Sequence, residues 1–285
     1  MGQPLTAHVV AVVPDLRPVA DHGHPWLRLD SDGGMHLLGR RPDTARLDVI
    51  HLDASGAVTG RTPLPAQLDL APPTGLLDLA CDPSGTSLLL ATDPDQGTRE
   101  LTRLGADGSP TWTRPAPFAG AEHVLYRGGL IGYITDGQGR VGEIDLTTGD
   151  LRQVIAWRDG AGQIFVGRDL LFFVHLDDRS QQWGVSAVGA LGEPGWSVDG
   201  RPELEHWLRH PIGADAKDQL YLTHQGVIAR LSADGVPSVV GAVAIASGVP
   251  ADARWAPYSQ WQVDADGSIL FAVVSGDSTA VVRLS

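Results

Sequence analysis

Apolar and polar residues alternate along most of the chain in runs of about five to eight residues, as in "WLRLD", "SLLLATD" and "AVVRL". Because successive side chains of an extended strand point to opposite faces, these runs predict half-buried β-strands. The chain has 35 glycines and 20 prolines, which interrupt the runs, and Asp-Gly pairs recur between them as tight-turn signals. The pattern predicts an almost all-β protein built from hairpins, with at most one helical turn, at "RPELEHWL".

The strand pattern repeats as a unit of four strands. The turn between the first and second strands of the unit recurs at intervals of about 40 to 52 residues, which is within the range for propeller blades. This turn falls at Gly33, Gly85, Gly128, Arg168, Asp218 and Gly267. We therefore predict six units in a single domain, residues 1–285, with approximate bounds 22–66, 74–116, 120–158, 161–199, 203–247 and 252–285.

The sixth unit is incomplete, because the sequence ends after its third strand. A further strand is available in residues 7–15, "AHVVAVVPD", ahead of the first unit. A ring of blades closes when such a strand completes the last blade and covers both free edges. We predict an all-β, six-bladed β-propeller of four-stranded antiparallel blades closed in this way. Five or seven blades and a pair of β-sandwiches are the alternatives, but a sandwich pair would not explain the incomplete unit.

Charge and composition limit the classes of function. The 34 acidic and 21 basic residues give a net charge of −13, which argues against binding to nucleic acid or to an anionic membrane. Cys81 is the one cysteine, so no intrachain disulfide can form. We find neither a signal-peptide pattern nor an apolar run long enough to span a membrane. These features favour a cytoplasmic protein that is a monomer or a weak homo-oligomer.

The repeated phrase "D-x-x-G-x-l-x-l", followed after a small turn by "v-x-x-l-d-x-x-G", covers essentially the whole chain. It resembles the NHL, streptogramin-lyase and SMP-30/gluconolactonase group of propellers. The resemblance implies an architecture more than a reaction. SMP-30-like lactonases hold a divalent metal with carboxylates and asparagines, whereas this chain has no asparagine. The Gly-His and Trp-Asp signatures of WD40 repeats are missing, which argues against a WD40 scaffold.

Histidines are the candidates for chemistry, because imidazole exchanges protons near neutral pH. Most of them map to the innermost strands or to loops at one mouth of the predicted channel: His22, His24, His123, His175, His206, His210 and His224. We predict His22, His123 and His206 as acid–base residues, with Glu122 and Glu205 beside them at the start of equivalent strands. Only one member of each Glu-His pair can face the channel. The alternative is that these residues are polar strand ends with a structural role.

Aromatic and polar residues at the same mouth form the predicted substrate pocket: Trp26, Asp136, His175, Trp207, His224, Arg254, Trp255 and Tyr258. Tryptophans of outer strands and turns, such as Trp112 and Trp196, are instead expected to wedge between blades. The spacing of His22 and His24 is compatible with a divalent metal, provided that a third ligand comes from across the channel. We expect no other cofactor.

These features lead to two functional hypotheses. The first is an enzyme of bacterial specialised metabolism that transforms a small-molecule substrate by histidine and carboxylate chemistry, as a lyase, cyclase, isomerase or lactone hydrolase. The alternative is a non-catalytic propeller that serves as a protein-interaction scaffold or a ligand-binding module. An oxidoreductase with a quinone or metal cofactor is a weaker third option, because the usual propeller cofactor motifs do not occur.

Overall fold

The structure is a computed structural model, and most of the chain that it describes is β-strand. It describes residues 4–17, 26–40, 46–65, 75–93, 96–128, 130–136, 140–155, 162–177, 180–189, 193–199, 201–244, 254–255, 261–275 and 277–285. The predicted all-β character is confirmed. No helix in these ranges is long and apolar enough to cross a membrane.

The chain begins with β1 (Leu5–Pro14) and then forms four separate antiparallel sheets, each with its strands in chain order. Blade one contains β2 (Trp26–Leu29), β3 (Met35–Arg40), β4 (Leu47–Leu52) and β5 (Val58–Pro63). Blade two contains β6 (Leu76–Cys81), β7 (Ser87–Thr92), β8 (Arg99–Leu104) and β9 (Pro110–Pro115). Blade three contains β10 (Ala121–Gly128), β11 (Ile131–Asp136), β12 (Val141–Asp145) and β13 (Leu151–Ile155). Blade four contains β14 (Gly162–Val166), β15 (Leu170–Leu176), β16 (Trp183–Gly189) and β17 (Pro194–Asp199).

The last two blades share one sheet of nine strands. Blade five contains β18 (Pro211–Ala214), β19 (Leu220–His224), β20 (Val227–Leu231) and β21 (Pro237–Ala244), and α1 (Pro202–Leu208) precedes it. In blade six, β22 (Arg254–Trp255) and β23 (Gln262–Val263) both pair with β24 (Ile269–Ser275) and together occupy the innermost strand position, and β25 (Ser278–Leu284) follows β24.

Strand β1 completes blade six, as the sequence predicts. It pairs antiparallel with β25, from Ala7 opposite Leu284 to Pro14 opposite Ser278. The beginning of β1 also pairs in parallel with the end of β21, where Leu5 faces Val243. One strand therefore covers the free edge of blade six and joins it to the outer edge of blade five, which leaves neither edge open at this point of the ring.

Six apolar clusters hold the blades together, and each lies between two neighbouring blades. Leu38 and Leu89, for example, are buried in the cluster between blades one and two. The last and first blades meet in the same way, because Leu270 of blade six is buried with Leu37 of blade one. Side chains of this size each contribute about 1.5–3 kcal/mol when fully buried. The described strands thus form a closed ring of six four-stranded units, and the β-propeller prediction is confirmed.

Side chains of the outer strands add a second link between blades. In three blades, such a side chain donates a hydrogen bond to a carbonyl in the turn between the third and fourth strands of the next blade. The bonds run from Thr62 Oγ1 to Ala106 O at 2.8 Å, from Trp112 Nε1 to Leu146 O at 3.0 Å, and from Trp196 Nε1 to Ala233 O. The interpretation of Trp112 and Trp196 as wedges between blades is confirmed.

The predicted helical turn at "RPELEHWL" is α1, and its position corrects the strand assignment of the fifth unit. Glu205 and His206 lie on this helix and do not begin an innermost strand, whereas Glu122 and His123 do lie in β10. Pro202 at the first helical turn favours the helix, and Leu204 and Leu208 bury one face of it between blades four and five. The two Glu-His pairs are therefore not equivalent.

Candidate functional site

The channel at the centre of the ring contains a cavity of about 550 Å³, lined by the innermost strands of all six blades. Each blade contributes at least one side chain, including Arg28, Asp78, His123, Gln163, Ile212 and Gln262. Arg28, Asp78 and His123 are the third residues of β2, β6 and β10. The same register on three neighbouring strands places their side chains at one level of the channel.

Asp78 is the hub of this group and is buried, with 3% of its surface exposed. Its Oδ1 accepts hydrogen bonds from Arg28 Nη2 at 2.6 Å and from the Leu79 backbone N–H at 2.8 Å. Its Oδ2 accepts from the Val124 N–H at 3.0 Å and lies 3.3 Å from His123 Nδ1. Burial raises the pKa of the Asp78 carboxyl, but Arg28 and then His123 outweigh it, so the pKa lies below its usual range.

The two side-chain partners of Asp78 differ, because Arg28 makes several further contacts whereas the His123 side chain is 53% exposed. Arg28 also donates to the backbone carbonyls of Leu79 and Leu27, each at 3.0 Å, and its guanidinium lies 5.5 Å from the centre of the Trp26 ring. The hydrogen bond to Asp78 raises the pKa of His123, although burial opposes it. The charges of Arg28 and Asp78 thus compensate each other, and the group joins blades one, two and three.

The structure brings some predicted residues together and separates others. His206 of α1 stacks on His224 at the end of β19, with ring centroids 5.5 Å apart, and the Trp207 ring lies 5.8 Å from His224. Glu205 forms an ion pair with Arg209 at 2.6 Å. His206 is therefore associated with blade five, whereas His123 belongs to the channel group. His206, Trp207 and His224 thus form a cluster of rings between α1 and the end of β19.

Three predicted pocket residues are packed inside blades. Trp26 is buried in the cluster between blades one and two. Asp136 is buried and bound by Arg140, whose Nε donates to Asp136 Oδ2 at 2.6 Å across the β11–β12 hairpin. His175 is buried in β15. Glu122, in contrast, is exposed on β10.

Other predicted site residues lie where the structure describes less. His22, His24 and Tyr258 fall outside the described residues, and for Arg254 and Trp255 only the backbone strand β22 is described. The described residues contain no group of three or more His, Cys, Asp or Glu side chains that could hold a metal. The metal site at His22 and His24 stays a prediction.

The turns at one end of the blades carry most of the described aspartates that lie in loops. We call the surface made by the first-to-second and third-to-fourth strand turns the turn face. Its aspartates are Asp30, Asp32, Asp53, Asp82, Asp107, Asp145, Asp150, Asp169, Asp215, Asp218, Asp234, Asp264 and Asp266. Many of them close the turns: Asp53 Oδ1, for example, accepts from the N–H of Ser55 at 2.9 Å and of Ala57 at 3.0 Å. The hydrogen bond from the Ser55 hydroxyl, followed by that from Ala57, lowers the pKa of Asp53 and so favours the ionised form.

The turn face also exposes apolar side chains. Leu130 in the β10–β11 turn is 52% exposed, and Val236 in the β20–β21 turn is 62% exposed. Val58 and Leu151 are exposed where β5 and β13 begin, directly after their turns. These side chains lie singly among polar residues, and they supply apolar contact area where a partner covers the turn face. The turn face therefore combines ionised carboxylates with contact groups that have no apolar cover within the described chain.

The sequence analysis identified His123 of the channel group but missed Arg28 and Asp78, although a signal was present. Asp78 interrupts the apolar run "LLDLAC", and Arg28 interrupts "WLRLD" at the same position of the neighbouring innermost strand. Opposite charges at equivalent positions of adjacent repeats predict an ion pair, because the repeat places those positions side by side.

The comparisons with known proteins identify the fold and no family. No family model matches the chain, and no curated protein matches it. Three solved structures similar to it are WD40 domains. The Neurospora crassa Pan2 WD40 domain has a TM-score of 0.53 and 10% identity, over 99% of this chain and 96% of that one. The RRP9 WD40 repeats have a TM-score of 0.54 and 10% identity, over 98% and 100%. The C-terminal WD40 domain of Sif2 has a TM-score of 0.51 and 9% identity, over 100% of both chains.

These similarities bear on three expectations. The likeness to NHL and SMP-30 propellers is not confirmed, and the absence of WD40 signatures did not exclude a WD40-like fold, because the ring is closed here by apolar clusters and outer-strand hydrogen bonds. The prediction of a small-molecule substrate as the partner is wrong, since WD40 propellers typically bind protein partners. The enzymatic descriptions that depended on that substrate lose their support.

Proposed function

We propose that this propeller is a non-catalytic protein-interaction scaffold whose turn face binds a basic segment of a partner protein. The observation that carries the proposal is the combination of exposed apolar side chains and ionised aspartates on that face. Apolar contacts supply binding energy, and complementary charge supplies orientation and rate of association. The net charge of −13 favours a basic partner over an acidic one.

The channel group supports a scaffold more than an enzyme. Arg28 and Asp78 use their charged atoms on each other and on backbone groups of three neighbouring blades. Groups committed in this way stabilise the ring, and a reacting molecule would have to displace them at a cost of several kcal/mol. The WD40-like fold is consistent with this assignment.

The proposal is tested with single-site variants of the turn face. Leu130→Ser and Val236→Ser remove exposed apolar groups and leave the charge unchanged. Val12→Ser is the matched control, because Val12 is 60% exposed on β1 and away from the turns. Proteins that copurify with wild type from the source cells are quantified for each variant, and the strongest candidate is then produced alone and titrated against purified propeller by calorimetry.

We expect a partner whose affinity falls about tenfold or more in the two turn-face variants and stays unchanged in Val12→Ser. Because the partner segment is basic, its affinity should also fall as salt rises, since added ions screen exposed charges beyond about 8 Å at physiological ionic strength. A partner that binds all variants equally, or that lacks a basic segment, would contradict the proposal.

A further inference from the structure

A continuous chain of hydrogen bonds between side chains crosses blade one. His36 Nε2 lies 2.9 Å from Asp30 Oδ2, and His36 Nδ1 lies 2.7 Å from His51 Nδ1. His51 Nε2 in turn lies 2.7 Å from Thr62 Oγ1. Thr62 then donates to the Ala106 carbonyl of blade two, so the chain begins in the β2–β3 turn and ends in the neighbouring blade.

Strand register explains how these side chains meet. His36 and His51 lie directly opposite each other on β3 and β4. Gly60 of β5 faces His51, and a Cβ at Gly60 would lie 3.7 Å from His51 Cδ2. With no side chain at Gly60, the His51 ring extends across β5 to Thr62, which lies two residues further along on the same face.

The last acceptor of the chain fixes which atom donates in each hydrogen bond. The Ala106 carbonyl can only accept, so the Thr62 hydroxyl donates to it, and His51 Nε2–H must donate to Thr62. At the other end, burial raises the pKa of the Asp30 carboxyl, but hydrogen bonds from His36 and from backbone N–H groups outweigh it and favour the carboxylate. His36 Nε2–H therefore donates to Asp30. The 2.7 Å contact between the two Nδ1 atoms is a hydrogen bond when one of them carries hydrogen and the other does not, and in the closed chain His36 Nδ1–H donates to His51 Nδ1.

We infer that this chain is an acid-sensitive latch between blades one and two, which opens when His51 takes up one proton from solvent. The proton binds His51 Nδ1, so both facing Nδ1 atoms then carry hydrogen and the bond between them breaks. The Asp30 carboxylate holds the His36 ring in place, so the His51 ring moves and disturbs the bond from Thr62 to blade two. A cleft of about 480 Å³ between these blades, lined by His51, Ser84 and Ala106 among others, gives the proton access and the ring room to move.

The electrostatics of the cleft favour opening of the latch at low pH. Burial and then the charge on His36 lower the pKa of His51 to about 4, although Asp30 and Asp82 act in the opposite direction. The other charged groups that face the cleft are Asp32, Asp53 and Arg61. In an opened latch the pKa of His51 returns towards 6.5. The contribution of His51 to the closed form is therefore fully present above pH 6.5 and is lost as the pH falls through 4. The opening equilibrium rises by about 100-fold between pH 7 and pH 4, and by about 300-fold only at still lower pH.

Hydrogen exchange of backbone amides tests the latch. Exchange is measured from pH 7 to pH 4 and corrected for its intrinsic pH dependence, in wild type and in His51→Gln, which keeps a donor and cannot titrate. Residues 58–64 and 99–109 report on the interface, and residues 219–231 of blade five are the internal control. We expect about 100-fold more opening at the interface in wild type at pH 4 than at pH 7, and less than about threefold in His51→Gln and in the control segment. An equal rise in both proteins, or no rise in wild type, would overturn the inference.

A second variant and a direct measurement keep the test decisive if His51→Gln does not fold. Thr62→Val removes the bond to Ala106 and retains both histidines, so interface exchange should already be raised at pH 7 and should rise less than tenfold at pH 4. Nitrogen chemical shifts of the His51 ring in wild type should report a neutral ring with the proton on Nε2 at pH 6.5 and protonation with a midpoint near 4. A midpoint near 6.5 contradicts the latch.

Discussion

Asp78 connects the innermost strands of three blades, so its replacement should destabilise the whole ring. Replacement by alanine leaves the Arg28 guanidinium, whose side chain is only 22% exposed, without its carboxylate. It also removes the acceptor of the Leu79 and Val124 backbone N–H groups. Breaking one partner of a buried ion pair costs about 3–5 kcal/mol. We expect Asp78→Ala to lower the free energy of unfolding by about that amount.

Two further variants separate the effect of the Asp78 charge on stability from the effect of its side-chain shape. Asp78→Asn keeps one oxygen for Arg28 and Leu79, but its amide nitrogen faces the Val124 N–H, so it should cost about 1–3 kcal/mol for the group left unpaired. The double variant Asp78→Ala with Arg28→Ala removes both charges. Its cost should be smaller than the sum of the two single costs by about 2 kcal/mol, because neither charge is then left unpaired.

Urea unfolding followed by tryptophan fluorescence and by circular dichroism measures these differences, and agreement of the two signals checks for a single transition. Asp107→Asn is the control, since Asp107 lies in an exposed turn of blade two and contacts only Ser109 of the same turn. It should change stability by less than about 1 kcal/mol. If Asp78→Ala costs no more than Asp107→Asn, or if the single costs of Asp78 and Arg28 simply add, Asp78 is not the hub described above.

Three other predictions follow from contacts between and within blades, each measured by the same unfolding assay. Trp112→Phe retains most of the apolar ring but loses the 3.0 Å bond to Leu146 O, and should cost about 1 kcal/mol. Asp218 has a φ of 57° and accepts two backbone N–H groups of the β14–β15 turn, so Asp218→Ala should cost about 1 kcal/mol more than Asp218→Gly, which relieves the backbone strain. Asp78 raises the pKa of His123, so the contribution of protonated His123 to folding stability is fully present below pH 6.5 and is lost as the pH rises through the raised pKa. His123→Ala should therefore destabilise the protein more at pH 6 than at pH 9. An identical cost at both pH values would contradict this assignment.

The sequence predicts the ring well because its evidence is local and periodic. Alternating strands and Asp-Gly turns recur in each unit, and the missing strand of the last unit identifies β1 as the closing strand. The helix at Pro202–Leu208 was visible in its proline and its two leucines. The Glu-His pairs were misinterpreted as equivalent because a two-residue match is weaker evidence than the surrounding apolar pattern, which has a helical period around Glu205 and a strand period around Glu122.

Interactions between blades were harder to predict, because they join residues that are far apart in the chain. Arg28 and Asp78 are 50 positions apart, and Thr62 and Ala106 are 44 apart. Nothing in either local segment identifies its partner until the blades are aligned in register. His36 and His51 are hard to identify for a different reason: each lies within an apolar strand, and only the hairpin register brings the two rings into contact, edge to face.

A chain about 10% identical to WD40 domains can share their fold because the fold depends on strand pattern and apolar burial more than on particular side chains. Closure of a propeller requires an apolar cluster at each of its interfaces and a strand that covers the last edge, and many side chains meet those requirements. Blade one has histidines at positions where blade two has leucine and arginine, since Leu88 and Arg103 are equivalent in register to His36 and His51. Features that the ring does not require are therefore the ones that distinguish this protein. By that criterion, the exposed apolar groups of the turn face and the charged chain through blade one are better guides to its function than the conserved geometry of the blades.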